Sequence, residues 1–166
     1  MRRKDREVTD INEIINIVDK AKILHLGLFD GNYPYIVPLH YGYEFADKGL
    51  TDKKLTDKEL IFYMHGANEG HKTDLIKNNP SVCVELECNV EQVSGEDIPC
   101  RYGSTFASVI GRGKAEIVDD EQEKIRGLNL LMENQTGRKF NIDGNMAASV
   151  TVIKVTVSEF TAKARK

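Results

Sequence analysis

The residues best suited to binding an anion lie in the stretch 62–72. An apolar run there ends in a turn that contains Gly66 and Gly70, and helical residues follow it. A glycine-bearing turn from a strand into a helix leaves backbone N–H groups free at the positive end of the helix dipole, where a phosphate can bind. His71 and Lys72 add two further donors, one of which carries a fixed positive charge. The pattern predicts a phosphate-binding turn, although an ordinary solvated helix start has the same residue types.

The residues on either side supply the strand and the helix that this turn requires. Leu60 to Met64 is a short apolar run with aromatic members, which is typical of a strand. Thr73 to Lys77 has helical character, and the Asn-Asn-Pro sequence at 78–80 ends it.

A strand of unusual composition runs from Tyr33 to Tyr43, after a hairpin turn at 30–32. It is apolar on both faces and contains Pro34 and Pro38, which cannot donate hydrogen bonds to a neighbouring strand. Central strands rarely tolerate proline, so we expect Pro38 at an irregular or edge position. An edge strand that is apolar on both faces needs a cover. A ligand, a second subunit or a helix of the same chain could provide that cover.

The remaining elements predict one mainly β (α+β) domain over residues 1–166. Helices are expected from Asp10, which can cap the first turn, and from the acidic residues at 119–121. Residues 46–58 are predicted to form a polar hairpin, and residues 89–99 a loop or a strand end that opens into one. Antiparallel strands joined by hairpin turns favour a small barrel with helices at its margins. The six predicted strands are 23–29, 33–43, 60–64, 82–87, 100–118 and 149–160.

The composition is that of a water-soluble protein. Its net charge of −3 gives no general attraction to nucleic acid. The apolar runs are too short to span a membrane, and no secretory signal is recognisable at the start. Three cysteines without CxxC spacing are expected to be reduced thiols. We therefore expect a cytoplasmic protein with no nucleic-acid or membrane partner.

Three blocks of sequence resemble the FMN-binding split-barrel family. They are residues 32–41, residues 61–72 and residues 100–115 with the acidic residues after them. Within that family they look most like the branch related to nitroimidazole-resistance proteins, which are cousins of pyridoxamine 5′-phosphate oxidase. The order and spacing of the blocks agree with that branch over roughly residues 5 to 120.

The resemblance implies a six-stranded antiparallel split β-barrel that forms a homodimer, with FMN held in grooves between the subunits. It places the flavin ring along 38–40, the ribityl chain at 65–67 and the phosphate at 70–72. In the related branch, a histidine equivalent to His71 lies near the flavin, which makes His71 a candidate catalytic residue. The implied cofactor-binding residues are Pro38, Leu39, His40, His65, Gly66, Ala67, Gly70, His71, Lys72 and Ser108.

The resemblance also implies an FMN-dependent oxidoreductase that acts on small organic molecules. The most specific form of this prediction is the reduction of nitroaromatic compounds such as nitroimidazoles. The arginine and lysine cluster with which pyridoxamine 5′-phosphate oxidases hold FMN phosphate and substrate is not evident, which argues against vitamin B6 oxidation. The alternative is a non-catalytic split-barrel protein that binds flavin or haem, with His40, His65 or His71 as the haem ligand.

A metal site is not expected from the four histidines. None forms a helical pair with a carboxylate, and His65 and His71 are separated by the turn. His25 lies in an apolar strand and is predicted to be a packed, hydrogen-bonded core residue.

Overall fold

The computed structural model describes residues 3–47 and 58–166. Its strands are β1 (Glu7–Val8), β2 (Leu24–Phe29), β3 (Pro34–Leu39), β4 (Gly42–Asp47), β5 (Lys58–Gly66), β6 (Ser81–Val93), β7 (Gly103–Ile117) and β8 (Thr151–Arg165). Its helices are α1 (Ile11–Lys20), α2 (His71–Asn78), α3 (Glu121–Thr136) and α4 (Gly144–Ala148), with 3-10 turns at Lys4–Arg6 and Pro99–Arg101. None of these helices is long and apolar enough to cross a membrane.

All strands of the described residues belong to one antiparallel sheet. Its order is β3-β2-β6-β7-β8-β5-β4, and β1 pairs with β8. The mainly β class with marginal helices is therefore confirmed, and so is the edge position of the proline-containing strand β3. The sheet has eight strands, however, and not the predicted six.

Tyr41 accounts for one of the two additional strands. Its buried hydroxyl lies 2.7 Å from the carbonyl oxygens of Val18 and Ala21, which share its one hydrogen as acceptors. Its own backbone carbonyl accepts from the side-chain amides of Asn134 and Gln135. Because helices hold this residue on both sides, the predicted strand 33–43 is divided into β3 and β4. The other additional strand, β1, has only two residues and is too short to show a pattern.

The inner face of the sheet carries the main hydrophobic core. Leu24, Leu26 and Leu28 of β2 point inward, as their alternation predicts, and all are buried. The core also receives the buried face of α1, which begins at Asp10, whose carboxylate accepts from the N–H of Glu13 at 2.9 Å.

We use the name outer face for the opposite surface of β2, β3, β6 and β7. His25 lies there and not in the core, so the prediction of a core histidine is wrong. Its partners in the flanking strands are Pro38 and Glu85. The reason is the period of two along β2, in which the leucines take every inward position.

Helix α3 closes the other end of the sheet over a second hydrophobic cluster. It packs directly on Gly42, where a Cβ atom would overlap the backbone of Leu130 and Leu131. Strand β6 continues to Val93 through an irregular step, so residues 89–99 are a strand end that opens into a loop, the second of the two predicted alternatives. The hairpin predicted at 46–58 falls mostly on residues 48–57, which lie outside the described residues.

Candidate functional site

The predicted phosphate turn is present between β5 and α2. The helix begins at His71 with Gly70 as its cap, and Gly70 has a φ of 145°, a conformation that favours glycine. The carbonyl of Gly70 accepts from the N–H groups of Thr73 and Asp74. Within the described residues, no acceptor is bonded to the N–H groups of His71 and Lys72. The helix start therefore has two free donors at the positive end of its dipole.

Lys72 is the cation of this helix start. Its side chain is half-buried, and an added Cβ at Gly66 would lie only 2.8 Å from the Lys72 Nζ atom. None of the carboxylates in the described part of the chain forms a salt bridge with it. Burial lowers the pKa of the Lys72 ammonium below its ordinary value. A partly desolvated cation without a partner is costly, and a bound anion would relieve that cost.

Two histidines, His65 and His40, lie where β5 and β3 end. The pKa of His65, at the end of β5, is lowered chiefly by desolvation and further by the charges of Lys72 and His40. Its imidazole is therefore neutral at pH 7. The Nδ1 atom of His40 lies 3.1 Å from the backbone carbonyl of Lys22, to which it donates. This bond holds the His40 ring where β3 ends.

The side chain of His71 has a different neighbour. Its ring meets the edge of the Tyr35 ring, with centroids 5.0 Å apart and an angle of 75° between the planes. The pKa of the Asp30 carboxyl in the β2–β3 hairpin is lowered chiefly by the backbone N–H groups of Tyr33 and Asn32. The charge of His71 lowers it further. His71 therefore links α2 to the edge of the sheet. Nothing in the sequence indicated its contact with Tyr35.

We use the name α2 corner for the group formed by His65, Gly66, Gly70, His71 and Lys72. Ala67 is exposed in the turn of this corner. The predicted ring-binding residues lie along β3, where Pro38 is exposed, Leu39 is half-buried, and His40 follows the strand. The charge of His40 contributes to the lowered pKa of His65, so the end of β3 is electrostatically coupled to the corner.

Within one chain, Ser108 does not lie beside the predicted ring-binding residues of β3. It lies on β7 between Glu87 and Lys163 of the neighbouring strands. Strands β2 and β6 separate β7 from β3, which amounts to roughly 14 Å at normal strand spacing. Ser108 lies directly opposite Glu87 in the neighbouring strand, so its side chain is on the outer face.

The outer face carries a cluster of three side chains that was not predicted from the sequence. The Nδ1 atom of His25 lies 3.1 Å from Glu85 Oε2 and 3.8 Å from Glu87 Oε2. Desolvation, and next the neighbouring Glu87, raise the pKa of Glu85. Ligand atoms of the three side chains lie within 4.8 Å of one another, which is close enough to hold a metal ion. The absence of a metal site therefore stays a prediction.

Two concave regions adjoin these residues. A groove of about 760 Å³ follows the outer face along β2, β3, β6 and β7. A smaller cavity of about 330 Å³ lies between His65, α3 and α4 and is lined mainly by apolar side chains. The three cysteines are free thiols, as predicted.

Comparison with known proteins decides the family. The profile described as pyridoxamine 5′-phosphate oxidase matches residues 10–164. The chain belongs to this family. Its split-barrel fold therefore follows from the family match as well as from the sheet. No curated protein sequence matches the chain significantly.

Solved structures of similar fold agree with this membership. A candidate 5-nitroimidazole antibiotic resistance protein from Bacteroides thetaiotaomicron has 28% identity and a TM-score of 0.75, with 95% of this chain and 86% of that chain covered. The flavocytochrome Anf3 of Azotobacter vinelandii has 18% identity and a TM-score of 0.76, over 100% and 72% of the two chains. An FAD- and haem-binding protein of Mycobacterium smegmatis has 13% identity and a TM-score of 0.73, over 97% and 74%. The last two comparisons concern the fold alone.

Proposed function

We propose that this protein binds FMN and holds the phosphate group at the α2 corner. The observation that carries the proposal is Lys72, a half-buried cation with no anionic partner among the described residues, beside two free N–H groups. The absence of a side chain at Gly66 leaves the space that the Lys72 ammonium occupies. A phosphate would accept from the helix start and from Lys72 together, and both interactions favour a dianion.

The rest of the cofactor would follow the end of β3. His65, Gly66 and Ala67 would flank the ribityl chain, and the main chain at Pro38, Leu39 and His40 would meet the ring. Of these residues, Pro38 and Leu39 belong to β3, an edge strand of the sheet, where backbone groups are available for hydrogen bonds.

A second copy of the chain would complete the site. The outer face exposes three large apolar side chains, Phe29 at 51%, Ile36 at 63% and Ile110 at 50%. Exposed apolar surface of this kind marks contact sites between proteins. Ser108 shares this face, so in a homodimer closed on it Ser108 would contact the cofactor of the partner subunit. This arrangement gives Ser108 a role that a single chain does not allow.

For the reaction, we propose an oxidoreductase that acts on small organic molecules, including nitroaromatic compounds. FMN supplies the electron chemistry of such a reaction when it is bound. The chain's contribution is to bind and orient the cofactor and to hold protons near it. The neutral imidazole of His65 can donate or accept a hydrogen bond without bringing a second charge beside Lys72. His71, held on Tyr35, is the candidate for proton delivery.

The second candidate is a binding protein without turnover, for flavin or for haem. His65, a neutral imidazole beside an apolar cavity, is the candidate haem ligand. Absorbance of the purified protein separates the two cofactors, since flavin and haem have different visible bands.

The decisive experiment is a titration with FMN of the unchanged chain and of the variant Lys72→Ala. Loss of a charge-assisted hydrogen bond costs about 1.5–3 kcal/mol, so the variant should bind roughly tenfold to a hundredfold more weakly. Lys77→Ala is the matched control, because Lys77 lies in the last turn of the same helix and is exposed. An equal dissociation constant for both variants would remove Lys72 from the site. If FMN binds, anaerobic bleaching by NAD(P)H and reoxidation by a nitroimidazole distinguish an enzyme from a store.

A further inference from the structure

The cavity beside the α2 corner is lined almost entirely by apolar side chains. Its volume is about 330 Å³, and it lies between the end of β5, helix α3 and the segment that leads into α4. It contains no charged side chain, and its polar residues are His65 and Asn141. The apolar lining residues are Leu128, Leu131, Met132, Phe140, Ile142, Met146 and Val150.

The absence of charge in this lining selects against charged ligands. Lys72 does not line the cavity, so a charged group inside it would have to leave water without a counter-ion among the lining side chains, which is strongly unfavourable. The floor is part of the second hydrophobic cluster, to which Leu128, Ile142 and Val150 belong. The cavity is therefore an extension of the core that is open on one side.

The side chains at the opening favour an aromatic ligand. Phe140 and Met146 are 38% and 56% exposed, so both offer apolar surface at the opening. Thioethers and aromatic rings both make favourable contacts with an aromatic ring. The Arg138 guanidinium lies 5.2 Å from the centroid of the Phe140 ring, and this contact helps to hold that ring in place.

His65 connects the cavity with the α2 corner. It lines the cavity and is electrostatically coupled to Lys72. As a neutral imidazole it can form one hydrogen bond with an uncharged polar group of a ligand.

We propose that this cavity binds a small uncharged aromatic molecule, with one polar substituent directed towards His65. The volume lies near the lower end of the range for ligand pockets and is sufficient for a substituted single ring or two fused rings. One point rests on the proposed function, namely that molecules of this class are substrates of the flavin site.

Nitrobenzene and benzoate provide a direct test, because they have nearly the same shape and differ in charge. Calorimetric titration of the unchanged chain should show saturable binding of nitrobenzene and at least tenfold weaker binding of benzoate. The variant Ile142→Trp should fill the cavity and weaken nitrobenzene binding at least tenfold. The matched control is Ile98→Trp, since Ile98 is also a loop residue, is 39% exposed and does not line the cavity. It should bind nitrobenzene as the unchanged chain does.

Three results would overturn the proposal: no saturable binding of nitrobenzene, equal affinity for benzoate, or unchanged affinity in Ile142→Trp. Thermal unfolding of both variants shows whether they fold. If Ile142→Trp does not fold, Met146→Glu at the exposed opening replaces it and should also weaken nitrobenzene binding.

Titration of the same samples with FMN separates this proposal from the proposed function. If FMN binds and nitrobenzene does not, only the cavity proposal fails. If nitrobenzene binds and FMN does not, the aromatic site stands and the flavin function fails. If saturating FMN abolishes nitrobenzene binding, the cavity belongs to the cofactor, and the substrate proposal is overturned.

Discussion

Adding one methyl group at Gly66 tests the α2 corner without removing a charge. In Gly66→Ala the new Cβ would lie 2.8 Å from Lys72 Nζ and 3.3 Å from Lys72 Cε. Both distances are shorter than van der Waals contact, so the ammonium must leave its position. The atoms that it meets are the end of a flexible side chain, and Gly66 has no positive φ. The fold should therefore accept alanine at this position.

The expected effect is on the affinity for FMN and not on stability. A displaced Lys72 loses its hydrogen bond to the phosphate, which is worth about 1.5–3 kcal/mol, or roughly tenfold to a hundredfold in the dissociation constant. The free energy of unfolding should stay within about 1 kcal/mol, because alanine replaces glycine at the end of a strand. Quenching of FMN fluorescence measures the first quantity, and urea denaturation measures the second.

A double-mutant cycle shows whether the methyl group acts through Lys72. Adding Gly66→Ala to Lys72→Ala should cost little further affinity, because the side chain that it displaces is already absent. If Gly66→Ala weakens FMN binding equally in both backgrounds, the reasoning is wrong. The methyl group would then obstruct the cofactor directly.

Two further predictions concern the histidine and the outer face. NMR titration of the His65 ring should give a pKa below 6.5, and Lys72→Ala should raise that pKa because it removes the second of its causes. The folded-state pKa is lower than the unfolded one, so the contribution of His65 to stability is complete above pH 6.5 and is lost as the pH falls through the folded-state value. A measured His65 pKa at or above 6.5 would contradict this prediction. Light scattering should show a dimer of the 18.7 kDa chain, and Ile36→Glu should shift it towards the monomer and weaken FMN binding. Val90→Glu, at a site of similar exposure (61% against 63%), should do neither, and a monomeric unchanged chain would refute the dimer.

The sequence predicted the elements that have a regular pattern. Alternation identified β2 and the inward side of β6, and Asp10 identified the start of α1. The glycines and Lys72 identified the turn between β5 and α2, because a helix start depends on a few adjacent residues. The family resemblance was confirmed by the profile match over residues 10–164.

Features that depend on distant contacts could not be predicted in this way. Tyr41 divides a continuous apolar stretch because its hydroxyl reaches α1, 20 residues or more away in sequence. The cavity wall comes from α3, whose apolar residues have the spacing of an ordinary buried stripe, and from α4, which lies in a stretch whose sequence is typical of a loop. The outward position of His25 was in fact available from the leucine alternation in β2. The prediction failed because the apolar neighbours in sequence were treated as neighbours in space.

The two prolines of β3 also affect how copies of this protein can associate. Residues two apart in a strand direct their backbone groups to the same side, so Pro34, Ile36 and Pro38 form one set. Strand β3 pairs with β2 along its whole length, so we expect the backbone groups of these three residues to point away from β2, towards solvent. An incoming strand would find a donor at Ile36 and none at either proline. The edge is therefore a poor template for edge-to-edge aggregation, while its faces stay available for specific contacts.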